Sequence, residues 1–133
     1  MRRRNGFSLI ELLIVVTMIG LVAAISLPRM SAIRQQMQLD TAAQQLVGDL
    51  RRAKIEALKR NKSVSVTSSG ASSYSVQFVG PRVLDGNVTF SGPDSVTFAA
   101  FGPPLTGPTT YTLTLGEHTR SVALSAAGMP TVQ

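Results

Sequence analysis

The feature that most constrains this chain is an apolar run close to its N-terminus. The run from Phe7 to Leu27 is 21 residues long, and Glu11 is the one charged residue in it. As a helix rising about 1.5 Å per residue, it would be about 31 Å long, which matches the roughly 30 Å hydrocarbon core of a bilayer. The run therefore predicts a membrane-spanning helix.

The charged residues around this run predict the orientation of the chain in the membrane and a cationic partner for Glu11. Three arginines, Arg2 to Arg4, precede the run. Basic residues beside a membrane helix stay in the cytoplasm, so the rest of the chain is expected to be exported. Glu11 lies one helical turn inside the run. Because a carboxylate in the bilayer costs about 2.5–3.5 kcal/mol even on mild insertion scales, we expect a partner charge for it.

The residues before that glutamate carry a resemblance to a known family. A short basic leader ends at Gly6, Phe7 follows, and Glu11 is the fifth residue after the glycine. This pattern resembles the N-terminal signal of type IV pilins and type II secretion pseudopilins. The resemblance implies that prepilin peptidase cleaves after Gly6 and methylates Phe7. It also implies that Glu11 pairs with the new N-terminal ammonium, in its own or a neighbouring subunit, during assembly with other pilins.

The resemblance also implies a location and a division of the chain. The protein would be a single-pass protein of the bacterial inner membrane, with its C-terminal domain in the periplasm or outside, before it enters a filament. The expected segments are a leader (1–6), a transmembrane and filament-core helix (7–27), an amphipathic continuation of that helix (28–61) and a C-terminal antiparallel β domain (62–133). A secretory signal peptide cleaved near Ala23-Ala24 is an alternative, but it leaves Glu11 unexplained.

Two residues interrupt the helical pattern. Gly20 lies within the apolar run, and Pro28 follows it. Proline removes a backbone donor and clashes with the preceding turn, so a kink is predicted at Pro28; alternatively, this proline only marks the exit from the membrane. In related pilins, glycine and proline at comparable places let the helix stretch or melt, and the resemblance implies this flexibility for Gly20 and Pro28.

An amphipathic helix is predicted over residues 29–61. Its apolar stripe has the 3-and-4 spacing of one helix face, which suits packing on a sheet. The stripe consists of Leu39, Ala43, Leu46, Leu50, Ala53 and Ala57, widened by Val47 and Leu58. Asn61 follows two basic residues and is a plausible end of the helix.

From Ser63 onward the apolar period changes to two, which is typical of strands with one buried face. About six or seven short strands are predicted, around Val64–Val66, Tyr74–Phe78, Val88–Phe90, Val96–Phe98, Tyr111–Leu115 and Val122–Leu124. Turn signals separate them, including Gly80-Pro81, Asp85-Gly86 and a long, potentially mobile loop at 102–108. Short connections indicate antiparallel pairing. The predicted fold is α+β and pilin-like, a long N-terminal helix packed on a small antiparallel β-sheet domain.

The second half of the chain resembles one group within this family. Val96–Phe98, Gly102, Leu113–Leu115 and Val122–Leu124 before Gly128 are similar to the C-terminal region of the GspH/FimT group of minor pseudopilins and minor type IV pilins. Members of this group often end in a short basic strand. Residues 129–133 carry no charge here, so a function that depends on such a tail is not carried over.

A cluster of basic residues near the end of the predicted helix has two interpretations. It could contact DNA phosphates, or it could be a solvated face that meets water and acidic neighbours in a filament. The solvated face is the simpler interpretation, because Asp49 and Glu56 are interspersed. The cluster consists of Arg51, Arg52, Lys54, Lys59, Arg60 and Lys62.

Composition argues against catalysis. The chain has no cysteine, and His118 is its one histidine, so neither a metal site nor a nucleophile–histidine pair is expected. Three of the thirteen basic residues lie in the leader, so the remainder is only mildly basic. Neither an enzymatic activity nor a cofactor is expected.

The sequence therefore leaves two leading hypotheses for the function. One is a minor pilin or pseudopilin, a structural subunit that assembles, and could prime or cap, a type IV pilus or a type II secretion pseudopilus. The other is a DNA-binding minor pilin for natural transformation. They differ in whether the 51–62 cluster is exposed together with Arg82 and Arg120. A membrane-anchored binding module outside any filament is a third hypothesis, which predicts that Glu11→Ala is harmless.

Overall fold

The computed structural model describes residues 7–84 and 86–133, apart from the side chains of residues 26–29. The leader with Gly6, and Asp85 of a predicted turn, lie outside the described residues. One long helix, α1 (Leu9–Arg60), precedes all the strands. The chain divides into two compact units, of which the first ends at Arg34 and the second is Gln35–Gln133.

The first unit contains the apolar half of α1. The helix is continuous at Gly20 and through residues 26–29. Every described side chain between Phe7 and Ile25 is exposed, and this stretch is long and apolar enough to cross a membrane. An exposed face this apolar is costly in water, so the segment needs lipid or other apolar helices around it.

In the second unit, α1 has one buried face. The predicted stripe is confirmed, since its members are at most 4% exposed, with Ala42 added to it. Leu58 is the exception and is half exposed. Each residue turns the helix by about 100°, so the side chain that follows Ala57 leaves the buried face and lies at its border.

The end of α1 matches the prediction made from Asn61. This residue has a left-handed conformation with φ of 49°, which asparagine tolerates better than most residues. The N–H of Asn61 donates to the carbonyl of Leu58, and the N–H of Lys62 donates to that of Ala57. These two bonds form a Schellman motif, which satisfies carbonyls that the last helical turn leaves free.

Within residues 7–84 and 86–133, eight strands form two four-stranded sheets in which every pair is antiparallel. Sheet 1 has the order β3-β2-β1-β5, and sheet 2 has the order β4-β6-β7-β8. The strands are β1 (Val64–Ser68), β2 (Ser73–Val76), β3 (Gly80–Val83), β4 (Thr89–Ser91), β5 (Ser95–Phe98), β6 (Thr109–Leu115), β7 (His118–Leu124) and β8 (Pro130–Val132).

The prediction missed two strands, β3 and β8. Gly80-Pro81 was expected to be a turn but begins β3, and the turn lies at residues 77–79 instead. Phe78 was expected on a buried strand face, yet it is an exposed turn residue with φ of 68°. Both strands contain proline and lie at sheet edges, where a missing N–H is tolerated. Apolar and polar residues alternate only weakly in these two strands, so the sequence pattern did not indicate them.

The predicted mobile loop is partly held by backbone hydrogen bonds. The N–H of Ala99 donates to the carbonyl of Pro103, and that of Leu105 donates to the carbonyl of Thr97. A bridge also pairs Phe98 with Pro104. The loop therefore covers the outer edge of β5, which would otherwise present unpaired backbone groups.

The core lies between the buried face of α1 and the inner faces of both sheets. An aromatic cluster joins the two sheets. Phe90 of β4 packs edge-on against Tyr74 of β2, with ring centroids 5.9 Å apart, and lies 6.2 Å from Tyr111 of β6. Gly92 permits this packing, because a Cβ there would lie 2.5 Å from the Tyr111 ring.

Candidate functional sites

Glu11 lies in the first turn of α1. The carbonyl of Ser8 accepts hydrogen bonds from the N–H groups of Glu11, at 3.0 Å, and Leu12, at 3.2 Å. Ser8 is therefore the N-cap and Glu11 the third helical residue, the spacing of a capping box. A carboxylate here also favours the positive end of the helix dipole. The Ser-x-x-Glu spacing is visible in the sequence.

Phe7 lies immediately before the N-cap and is exposed. If the chain were cut after Gly6, the new ammonium would belong to Phe7, four residues before Glu11 in sequence. Among the described residues, no basic side chain pairs with the Glu11 carboxylate. The carboxylate is thus available to a cation at the helix start, whether from its own chain or from a neighbour.

The basic cluster divides into free and engaged side chains. Lys54 is half buried, and its Nζ donates a 2.8 Å hydrogen bond to the carbonyl of Ala127. Arg60 donates at 2.7 Å to Glu56 and lies 4.7 Å above the ring of Phe78. The remaining members are exposed and have no ion pair within the described part of the chain. These are Arg51, Arg52, Lys59 and Lys62.

Glu56 illustrates how the cluster neutralises itself. The hydrogen bond from Arg60 lowers the pKa of this carboxyl, and the charges of Arg60, Lys59 and Arg52 add to the effect. The i,i+4 order of acid before base is the favourable one on a helix. The glutamate therefore stays ionised and offsets one positive charge of the cluster.

The two arginines that could extend a phosphate-binding surface are both paired. Arg120 of β7 donates to Asp40 at 2.7 Å, and the Nε of Arg82 lies 3.6 Å from an Asp49 oxygen. Both arginine side chains are still partly exposed, at 37% for Arg82 and 44% for Arg120. Exposure of the 51–62 cluster together with these arginines therefore does not separate DNA binding from a structural role.

Asp49 is the one buried charged residue among the core positions described. It accepts a 2.7 Å hydrogen bond from the Tyr74 hydroxyl. Burial, together with this hydrogen bond and the Asp49 charge, raises the pKa of Tyr74 well above its usual range. Sequence analysis counted Asp49 as part of the solvated face. Its position next to Leu50 and three residues after Leu46 was the signal that it borders the buried face.

No group of three acidic or histidine residues that could hold a metal ion occurs within residues 7–84 and 86–133. His118 begins β7 and pairs with Leu115 across a two-residue turn. Gly116 in that turn has φ of 61°. The histidine therefore lies in a hairpin, not in a cluster of potential ligands.

Two family models match the chain. The prokaryotic N-terminal methylation motif matches residues 1–27, and the type II transport protein GspH matches residues 42–128. The second match covers more than half of the chain.

Curated relatives of this chain are also pilins or pilin-like proteins. The pilin-like protein PilA1 of Thermus thermophilus is 38% identical over 73 residues, 53% of this chain and 46% of PilA1. A fimbrial protein of Pseudomonas aeruginosa is 31% identical over 87 residues, 65% of this chain and 56% of that protein. The chain thus spans about half the length of these curated relatives.

A further relative is the type IV wide pilus major component PilA4 of Thermus thermophilus, 35% identical over 91 residues, 68% of this chain and 65% of PilA4. The crystal structure of the minor pilin FimU of Pseudomonas aeruginosa superposes with a TM-score of 0.67 at 16% identity, over 76% of this chain and 92% of that one. At this identity the likeness establishes the fold, and it confirms the predicted α+β pilin-like architecture.

The resemblance drawn from Gly6 to Glu11 and from the second half of the chain is confirmed by these matches. Pilins and pseudopilins are structural subunits, not enzymes. The chain belongs to the GspH family within the type IV pilin and type II secretion pseudopilin superfamily.

Proposed function

We propose that the protein is a minor pilin or pseudopilin that assembles into a type IV pilus or a type II secretion pseudopilus. The observation that carries this proposal is the contrast within α1. Its first half is apolar, exposed on every side and contains one carboxylate, whereas its second half packs a β domain against one face. A helix that is apolar all round needs lipid or other helices around it, and a filament core supplies those helices.

Processing creates the partner that Glu11 lacks. Prepilin peptidase cleaves after Gly6 and methylates Phe7, which leaves an ammonium beside the N-cap. An unpaired cation at this positive end of the helix dipole is unfavourable, and an unpaired carboxylate in the apolar run is costly. Pairing Glu11 with the ammonium of a neighbouring subunit relieves both costs and defines the axial register between subunits.

The protein starts in the inner membrane as a single-pass precursor, with the β domain on the periplasmic side. The three leader arginines support this orientation. Gly20 and Pro28 provide the points where the helix stretches during assembly, because glycine and proline are the residues that weaken a helix interior most.

The test compares two Glu11 variants with one control variant in the bacterium that produces the protein. Glu11→Ala removes the charge and the whole side chain at the third helical position, whereas Glu11→Gln keeps a side chain of the type that capping boxes use there and removes the charge alone. We expect both variants to lose incorporation into filaments, measured by cross-linking of subunits and recovery in sheared fractions. Glu117→Ala, in an exposed turn, is the control and should assemble normally.

Normal incorporation of Glu11→Gln with failure of Glu11→Ala would assign the residue to helix capping instead of intersubunit pairing. Normal incorporation of both would favour a binding module that acts outside filaments. Deleting the gene and measuring secretion and pilus-dependent motility separately then identifies the machine that the subunit serves.

A second candidate function is DNA binding for natural transformation. The observation that favours it is the set of four exposed, unpaired basic residues at the end of α1, described above. Anisotropy of a labelled oligonucleotide with the full chain in phosphatidylcholine nanodiscs tests it. Four phosphate contacts would give a log–log salt slope of about −3 to −4.

In that assay, substituting Arg51, Arg52 and Lys59 together with alanine should reduce the slope by about 3 if DNA is bound there. Arg120→Ala, which removes an arginine already paired with Asp40, is the matched control and should not change the slope. Absence of binding at low salt leaves the structural role alone.

A further inference from the structure

We infer that an apolar groove beside the last turns of α1 receives an acidic, amphipathic segment of another subunit. This inference rests on the proposed function, which supplies the other subunit. The groove encloses about 240 Å³, enough for one or two apolar side chains. It is lined by Arg51, Lys54, Ile55 and Leu58 of α1 and by Gly128 and Met129 of the loop between β7 and β8.

The groove is held open by specific contacts. Lys54 lies across its base, where its Nζ bonds the carbonyl of Ala127 and lies 3.8 Å from the sulfur of Met129. The loop is closed on itself, because the N–H of Gly128 donates to the carbonyl of Ser125 and the N–H of Met129 donates to the Ser125 hydroxyl. A partner would therefore enter a preformed site, which lowers the entropy cost of binding.

Gly128 also has a steric reason to be glycine. Its φ is 72°, and a Cβ there would lie 3.0 Å from the carbonyl oxygen of Gly102. A Cβ at Gly102 would lie 3.4 Å from a methyl group of Leu58. The loop that contains Gly128 therefore packs closely on the 99–102 turn, and this turn packs closely on the border of α1.

Apolar surface continues around the groove. Ile55 is 59% exposed, and Phe101, next to Gly102, is 74% exposed. Exposed apolar side chains that surround a concave site mark interaction surfaces more often than isolated ones do. All of these residues belong to the second unit, so the apolar run of the first unit does not contribute to this surface.

Charge complementarity selects the chemistry of that partner. Arg51 lines the groove with its charge unpaired, whereas the Lys54 ammonium is bonded to the Ala127 carbonyl. No acidic residue lines the groove, and Arg52 and Lys59 are exposed on the same helix. An occupant with an apolar anchor flanked by carboxylates satisfies both features. Nucleic acid fits less well, because the groove walls carry aliphatic side chains on which bases do not stack.

A second copy of this chain offers no such segment among the described residues. Asp40 and Glu56 are paired with arginines, and Asp49 is buried. Asp94 lies at a bend between β4 and β5, Glu117 lies in the turn between β6 and β7, and Glu11 belongs to the apolar run. The occupant that these charges favour is a different subunit, whose exposed segment carries the acidic residues.

The test uses the full chain in phosphatidylcholine nanodiscs and a yeast-displayed library of random peptides of about 12 residues, roughly three helical turns. We expect enrichment of peptides with an aliphatic or aromatic residue between acidic ones. Ile55→Asp and Arg51→Glu should each weaken the binding of selected peptides by about tenfold or more. Two matched controls outside the groove, Val83→Asp and Lys62→Glu, should leave the affinity unchanged, with tyrosine near-ultraviolet circular dichroism checking the fold.

Three results would overturn the inference. The first is a selection without enrichment of acidic residues, and the second is equal weakening of peptide binding by Ile55→Asp and Val83→Asp. The third is an oligonucleotide that displaces the peptides and whose own binding is weakened equally by Arg51→Glu and Lys62→Glu, which would assign the surface to nucleic acid.

The Glu11→Gln assembly assay keeps the two proposals separate. If the chain never enters filaments but still selects acidic peptides through Ile55 and Arg51, the proposed function fails and the groove remains a binding site. If it enters filaments but selects no such peptides, the groove inference alone fails.

Discussion

Replacing Asp49 with alanine should destabilise the β-containing unit more than replacing any exposed charge. The substitution leaves the Tyr74 hydroxyl without its acceptor and Arg82 without its counter-ion. The Nε of Arg82 is already buried and has no hydrogen-bond partner in the described structure, so its remaining compensation is the charge of Asp49.

The expected magnitude follows from the geometry. Two unit charges 3.6 Å apart attract by about 4–5 kcal/mol at an effective dielectric constant of about 20. The Arg82 side chain is 37% exposed, so solvent screening reduces this to about 1–2 kcal/mol. The hydrogen bond from Tyr74 to a charged acceptor adds about 1.5–3 kcal/mol. Allowing for the burial cost that Asp49 no longer incurs, we expect a loss of about 2–4 kcal/mol.

The assay is chemical unfolding of the full chain in a zwitterionic micelle, followed by tyrosine near-ultraviolet circular dichroism. The chain has no tryptophan and two tyrosines, and both belong to the core of the second unit, so the signal reports that unit alone. Asp49→Asn, which keeps a neutral acceptor for Tyr74, should lose about half as much as Asp49→Ala.

Asp40→Ala is the matched control. Its ion pair with Arg120 is shorter, at 2.7 Å, but the two side chains are 51% and 44% exposed, so we expect a loss below about 1 kcal/mol. If the two alanine variants lose equal stability, burial is not what makes Asp49 important. A loss below about 1 kcal/mol for Asp49→Ala would show that the buried contacts of Asp49 do not stabilise the unit.

Three further predictions concern the core, the helix end and alkaline pH. Gly92→Ala should destabilise the unit by about 1–3 kcal/mol, because the new Cβ overlaps the Tyr111 ring; Gly48→Ala, where a Cβ has open space, should not destabilise it. Asn61→Ala should lose about 1 kcal/mol in the left-handed conformation and Asn61→Gly should not, as thermal unfolding would show. Burial raises the pKa of Tyr111 from its ordinary 10.0 to about 12. The folded state therefore keeps this proton to a higher pH than the unfolded state, and stability should fall as the pH rises from about 10 to about 12. Tyr111→Phe should lessen that loss, and a pH-independent stability above pH 10 would contradict it.

Local sequence patterns predicted the helical part of the fold well. The 3-and-4 spacing from Leu39 to Ala57 depends on helix geometry alone, and the buried face follows from it. The end at Asn61 was also local, because the residue's own tolerance of positive φ decides it. The apolar run and Glu11 were also predictable from local sequence, because the family signature that contains them consists of consecutive residues.

Edge strands and buried charge could not be predicted in this way. β3 and β8 are short, contain proline and gain their pairing from neighbouring strands, so their own alternation is weak. The exposed position of Phe78 depends on a turn that forms only when β2 pairs with β3. Asp49 was assigned to the solvated face, and the environments of Arg82 and Arg120 were left open, because a sequence does not show which distant charge these residues meet.

Residues adjacent in the chain were enough to indicate a helix able to cross a membrane, the N-terminal methylation motif and the family. Which basic residues remain free depends on contacts between distant parts of the chain. Arg82 and Arg120 are neutralised by carboxylates far away in sequence, and Lys54 bonds a loop more than seventy residues later. The apolar groove likewise exists because that loop closes against α1, a contact between residues that no local period relates.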